Sequence, residues 1–226
     1  MEGLKAVTFD CFGTLVDWKL GQGRVLRQFP SLEAATDTDL DKIVTLREEM
    51  EINLQAGTWM PYSEVLESSI GRAAQGALGL KLTGSECRAF SAGQPGWPLF
   101  PDSSSALGRL AAAGLKIGLL SNCDRGVLER TARAKLGLAA TLCVSSEELR
   151  SYKPAPAHWG AALAAWSLEA SQVLHVSFSP FHDLEPAHAL GFPLGFVARY
   201  GTQAPEGLPL EVEAPDLESL VDRILA

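Results

Sequence analysis

The chain has 226 residues, 46% of them hydrophobic and 20% charged, with a net charge of −8. That length suffices for one large domain or for a core with a smaller second domain. The acidic balance argues against nucleic acid and against an anionic membrane as main partners. A small anionic substrate stays open, because a local pocket can oppose the global charge.

The first apolar segment, KAVTFD (5–10), reads as a buried strand that ends on Asp10, with Gly13 and Thr14 turning the chain just after it. The next stretch breaks the strand pattern. Helices are predicted over 38–57, 62–79 and 84–93, and GQPGWPLFPD (93–102) reads as a Pro- and Gly-rich return linker. A helical unit is thus inserted after the first strand. From 104 onward the alternation is regular. Strands are predicted at 116–121, 140–146, 173–179 and 194–199. Helices are predicted at 104–115, at 124–137 with Asp124 as N-cap and Gly137 as C′, at 154–168 and at 184–191. All five strands look buried on both faces. This predicts an open parallel Rossmann-like α/β sheet with helices on both faces, made of residues 1–17 and 99–226, with an inserted helical domain over 18–98.

Cys11, Cys87, Cys123 and Cys143 are widely spaced, without a C-x-x-C pair, and read as reduced thiols. Cys11 and Cys123 flank motif residues and are expected near the pocket. With no basic-then-apolar leader and no bilayer-length apolar run, the expected location is cytoplasmic.

In open parallel sheets ligands sit beyond the carboxyl ends of the strands. That edge gathers Asp10, Ser121 with Asn122, Lys153 and Asp183. Taken singly they read as turn or helix caps and a solvated lysine. Taken together they form a chemical set. Lys153 would lower the pKa of Asp10 and keep it ionised as a nucleophile. Ser121, Asn122 and loop N–H groups would hold an anionic group. Asp183 would act on a water.

The ordered segments FDCFGTLVD, LLSNCD, YKPAP and HDLEPAHALG resemble the four motifs of the haloacid dehalogenase superfamily. The resemblance implies a covalent nucleophile at Asp10, a substrate-anion ligand at Ser121, a charge anchor at Lys153, a last-motif acid at Asp183 and a cap domain in the insert. Most of that superfamily transfers phosphoryl groups, with an acid two residues after the nucleophile and Mg²⁺ held by last-motif carboxylates. Here Phe12 replaces the acid, and Phe178 stands where a metal-binding aspartate is expected.

The sequence is therefore most similar to the L-2-haloacid dehalogenase branch, in which a halide leaves without a proton donor or a metal. That similarity implies no cofactor, a small anionic 2-haloacid substrate held by Thr14, Ser121, Asn122 and Trp159, a halide cradle at Arg47, and a homodimer as the candidate assembly. A solvated helix-face arginine is the other reading of Arg47. The branch differs at Trp159, where a tyrosine is usual, and at Phe178 and Pro180, where a serine and an asparagine are usual, with Ser177 and Ser179 nearby. His182 reads either as a neighbour that tunes Asp183 or as a helix-entry residue, and His175 as core. Trp18, Trp59 and Trp97 read as an apolar pocket wall or as packing. A Mg²⁺-dependent phosphatase and a catalytically inactive ligand-binding member remain as alternatives.

Overall fold

The computed structural model describes residues 3–138 and 141–226. The chain falls into two compact units, Met1–Val16 with Leu99–Ala226, and Asp17–Pro98. Asp17 goes with the insert because its carboxylate accepts the Leu20 N–H at 3.1 Å and caps the first helix.

In chain order, β1 (Ala6–Phe9) precedes the insert helices α1 (Trp18–Leu26), α2 (Asp37–Gln55), α3 (Tyr62–Leu78) and α4 (Gly84–Gly93). The core resumes with α5 (Ser103–Ala112), β2 (Lys116–Ser121), α6 (Arg125–Arg130), β3 (Leu142–Ser145) and α7 (Ser146–Leu149). It ends with α8 (Ala157–Trp166), β4 (Val173–Ser177), α9 (Glu185–Ala189), β5 (Leu194–Val197), β6 (Leu210–Ala214) and α10 (Leu217–Leu225).

The six strands form one parallel sheet in the order β3-β2-β1-β4-β5-β6. β1 is central, with β2 and β4 as its neighbours, so the strand order reverses there. A crevice at the carboxyl ends of such strands is where α/β sheets place ligands. The inner strands β1, β4 and β5 are buried throughout, as their unbroken apolar runs predict. On one face, Trp159 and Ala162 of α8 and Leu184 and Ala187 around α9 pack against Ala6, Leu120, Val173 and Leu194. α5 and α10 pack on each other and on the sheet, burying Leu107, Leu110, Leu220 and Ile224.

Several predicted elements differ in detail. The strand predicted at 140–146 forms as β3 over 142–145, and Ala140 lies outside the described residues. The helix predicted at 154–168 starts only at Ala157, because a residue before proline avoids helical φ/ψ. The helix predicted at 124–137 divides into α6 and a π-turn over Thr131–Lys135, where the Leu136 N–H reaches Thr131 O. A second π-turn, Pro180–Leu184, precedes α9.

Inside the insert, α2 pairs mainly with α3, and capping boxes at Thr36 with Asp39 and Thr83 with Glu86 start α2 and α4. Glu86 also accepts the Ser31 N–H and hydroxyl, at 2.9 and 2.7 Å. Burial pushes its carboxyl up, but these four donors prevail and hold it down at about 2. α1 is built around a close approach: a Cβ on Gly21 would lie 2.4 Å from Trp97 Cγ. Gly21→Ala is therefore expected to destabilise the insert by about 1–3 kcal/mol through overpacking. The check is a lowered urea midpoint followed by tryptophan fluorescence; an unchanged midpoint would show that Trp97 yields freely.

Candidate active site

Asp10 follows β1 directly, and its N–H donates to Val176 O on β4 at 3.1 Å. The loop beyond it is tight. Leu15 and Val16 N–H groups donate to Cys11 O at 2.9 and 3.0 Å, and Gly13 N–H donates to Val16 O at 2.8 Å. Gly13 has φ +103°, a conformation that a side chain would strain. The turn folds Thr14 back on the carboxylate: its hydroxyl donates to Asp10 Oδ2 at 2.9 Å and accepts the Phe178 N–H at 3.3 Å. The hydroxyl expected to meet substrate is thus committed to Asp10.

Lys153 is 2% exposed, and its ammonium uses all three donors. It bonds Asp10 Oδ1 at 2.9 Å, Leu120 O at 2.9 Å and Asp183 Oδ1 at 2.6 Å. Asn122 fixes the main chain beneath it, accepting the Lys153 N–H at 2.7 Å and donating to Lys153 O at 3.0 Å. Its amide therefore positions Lys153, a task with no local sequence signal. Ser121, buried at the end of β2, hydrogen-bonds the Cys123 thiol, and burial pushes that thiol up to about 12. All four cysteines are free thiols.

Asp183 sits in the π-turn that leads into α9. The wider turn holds one more residue than an α-turn and leaves Ser177 as the side chain that donates to Asp183 Oδ2, at 3.1 Å. The histidine that reaches Asp183 is His175, Nε2 to Oδ1 at 3.1 Å, with Nδ1 held 2.9 Å from the Thr8 hydroxyl. His182 is a turn residue whose N–H donates to Ser179 Oγ at 3.3 Å. Trp159, expected at the substrate, is fully buried, and its ring packs edge-on against His175 at 5.4 Å.

The electrostatics correct one expectation. Burial comes first and pushes Asp10 up, the Asp183 charge adds to it, and the pull of Lys153 and the Thr14 hydroxyl does not reverse it. Asp10 therefore lies above the ordinary value of 3.8, where a simple lysine-neighbour argument places it below. Asp183 behaves oppositely. Burial pushes it up, yet Lys153 and the His175 hydrogen bond hold it well below the usual carboxylate range. Lys153 is raised in turn: burial opposes its charge, and the two carboxylates more than compensate.

Two side chains with no motif signal, Arg199 and Asp102, complete the core unit's site. Arg199, 7% exposed, donates through Nε to Thr14 O at 3.1 Å and forms a bidentate pair with Asp102 at 2.9 and 2.8 Å. Phe178 joins Tyr200 and Phe100 in an edge-packed row, with centroids 5.8 and 5.5 Å apart. Arg47 belongs to the insert. It is not a solvated helix-face arginine: it is 2% exposed, donates to Gln22 Oε1 at 2.8 Å, pairs with Glu51 and lies over Trp18. Trp97 is insert packing, against Gly21 and Phe90.

A family model described as a haloacid dehalogenase-like hydrolase matches residues 4–191. The chain belongs to that family. Among curated relatives, (S)-2-haloacid dehalogenase 1 of Pseudomonas sp. is 35% identical over 94 residues, 41% of each chain. A phosphoglycolate phosphatase of Rhodospirillum rubrum is 36% identical over 108 residues, 47% of this chain and 44% of that one. Both matches thus span less than half of the relative's length. The crystal structure of L-2-haloacid dehalogenase from Xanthobacter autotrophicus superposes with a TM-score of 0.80 over 99% of both chains at 22% identity, a likeness of fold.

Phosphoryl-transferring members of this superfamily rely on Mg²⁺, and the residues here do not fit that ion. A Mg²⁺ site needs several oxygen donors in octahedral array. Asp10 and Asp183 instead share one ammonium, and Phe178, in the place of a further carboxylate, packs on Tyr200. Among the described residues, no three His, Cys, Asp or Glu side chains gather where they could hold a metal. No helix among the described residues is long and apolar enough to cross a membrane.

Proposed function

We propose that this hydrolase cleaves the carbon–halogen bond of a small 2-haloacid, without metal, through an ester on Asp10. One observation carries the reading. A buried carboxylate at the switch point of the sheet is held by an ammonium and a hydroxyl, while phenylalanines occupy the places of a proton donor and a metal-binding carboxylate. Such a site suits a leaving group that departs as a weak base. Asp10 forms a C–O bond to C2 as the C–X pair leaves with the halide. Water then adds to the Asp10 carboxyl carbon, releasing the 2-hydroxy acid and one proton. Asp183 keeps the Lys153 ammonium facing Asp10. With its Oδ1 taken by Lys153 and His175, it has a free lone pair only on Oδ2, beside Ser177, to orient the water. Ser121 and the loop N–H groups are assigned to the substrate carboxylate.

The family relationship to a phosphatase gives the competing reading, a Mg²⁺-dependent phosphomonoesterase. Halide release from L-2-chloropropionate in EDTA separates the two. Turnover of p-nitrophenyl phosphate that needs added Mg²⁺, with no halide released, would replace our reading. The pH profile adds a signed expectation. Only ionised Asp10 attacks, so kcat/KM falls on acidification, with a midpoint above the ordinary 3.8. Since the Asp183 charge is one of the groups raising Asp10, Asp183→Asn should move the residual acid limb to lower pH.

A further inference from the structure

We infer that Arg199 and Asp102 form a positioning clasp that sets Asp10 through the main chain of Thr14. Neither residue touches Asp10. Arg199 follows β5, at the far side of β4 from the nucleophile strand. Its guanidinium is spread over three fixed partners: the Thr14 carbonyl, both oxygens of Asp102, and the face of Phe100, 4.0 Å from the ring centroid. A planar fork bonded on two edges and stacked on its face has no alternative orientation.

Asp102 is fixed in turn, accepting the Leu217 N–H at the start of α10 at 2.9 Å. The neighbouring carbonyl is held from the same side: Leu15 O accepts the Phe100 N–H at 3.0 Å and the Ser103 hydroxyl at 2.8 Å. Two successive carbonyls of the nucleophile loop are thus bolted to the segment where the chain re-enters the core. What this holds still is the Thr14 side chain, whose hydroxyl is 2.9 Å from Asp10 Oδ2.

A hydrogen bond from Thr14 favours ionised Asp10. Loosening the clasp should weaken that bond, raise the Asp10 pKa and misalign its attack. Of the other groups acting on Asp10, Lys153, Asp183 and the Cys123 thiol are carried by other elements, and Cys11 is its neighbour in the same loop.

The inference rests on Asp10 being the nucleophile, and the test reads its geometry independently of turnover. In protein labelled with carboxyl-¹³C aspartate, the Asp10 resonance is titrated in wild type, Arg199→Met, Arg199→Lys, Thr14→Val and the Arg199→Met/Thr14→Val double variant. A charged hydrogen bond of about 1.5–3 kcal/mol corresponds to about 1–2 pKa units. Arg199→Met is expected to raise the Asp10 midpoint by about half a unit to one unit. Arg199→Lys, which keeps the charge but loses the fork, should give a smaller rise, and serves if the methionine variant does not fold. On the Thr14→Val background, Arg199→Met should add nothing. Where halide release is measurable, kcat should fall about 10- to 100-fold with KM nearly unchanged, as expected of misaligned attack. Folded Arg199 variants with unshifted Asp10 titration, or shifts that add in full to that of Thr14→Val, would overturn the clasp. Absence of turnover in wild type would overturn the dehalogenase reading and leave the titration to decide the clasp.

Discussion

Asp10→Asn is expected to abolish halide release, with a loss of at least about 10⁴-fold, because the amide cannot form the ester. Label from heavy-oxygen water provides the sharper check. One turnover in that water should place the label on the wild-type peptide that carries Asp10, since the ester is hydrolysed at the aspartyl carbon. Label found only in the product hydroxyl would mean that water attacks C2 directly. The same variant has a signed effect on stability. The folded pKa of Asp10 lies above the ordinary 3.8, so its ionised form opposes folding at neutral pH. Asparagine keeps the acceptor for Lys153 without that cost. The melting temperature of Asp10→Asn should equal or exceed that of wild type.

Lys153→Met is expected to be costly to the fold as well as to activity. It leaves Asp10 and Asp183, 6% and 1% exposed, with no ammonium between them. Breaking a buried pair from one side costs about 3–5 kcal/mol. The dependence on pH should also change sign. In wild type the depressed Asp183 stabilises the fold above its unfolded pKa near 3.8, and this is lost as pH falls through its lower folded value. Without Lys153 both buried carboxylates titrate high, so stability is lost as pH rises and recovers on acidification. Urea unfolding at pH 5 and pH 7 checks this: wild type should change little, and Lys153→Met should be the more stable at pH 5. Equal midpoints at the two pH values would mean that another cation replaces Lys153.

Much of the architecture was legible because its signals are local. Unbroken apolar runs marked β1, β2, β4 and β5, and their polar endings marked the sheet edge where Asp10, Lys153 and Asp183 meet. β6 carried no such signal: it is an edge strand that exposes Glu211 and Glu213, so its run is interrupted. α1 was hidden by Gly21 and Gly23 and by the buried Gln22, all weak helix signals, although Gly21 is there for Trp97. In the site, the acid and the lysine were visible as strand-end charges, while their supports were not. His175 looked like core because it sits inside a strand, and its task depends on Asp183 eight residues later. Arg199 and Asp102 are 97 positions apart and meet only in three dimensions. The direction of the Asp10 shift also required the structure, since it turns on how deeply the carboxylate is buried.

The bridge between Val16 and Leu99 bears on how this chain is organised as a heritable object. The core's two segments run antiparallel where the insert leaves and returns, as the stems of a hairpin do. The sheet therefore meets the same boundary whatever the length of the excursion between them. Loop-closure entropy grows only with the logarithm of length, about 0.6 kcal/mol per doubling, so the detour through Asp17–Pro98 adds little to the cost of closing the core. Material can be lengthened, shortened or exchanged between these two residues while the hydrogen-bond register of the sheet is kept. The insert can then diverge while the Asp10 loop, bolted from the core side, stays as it is.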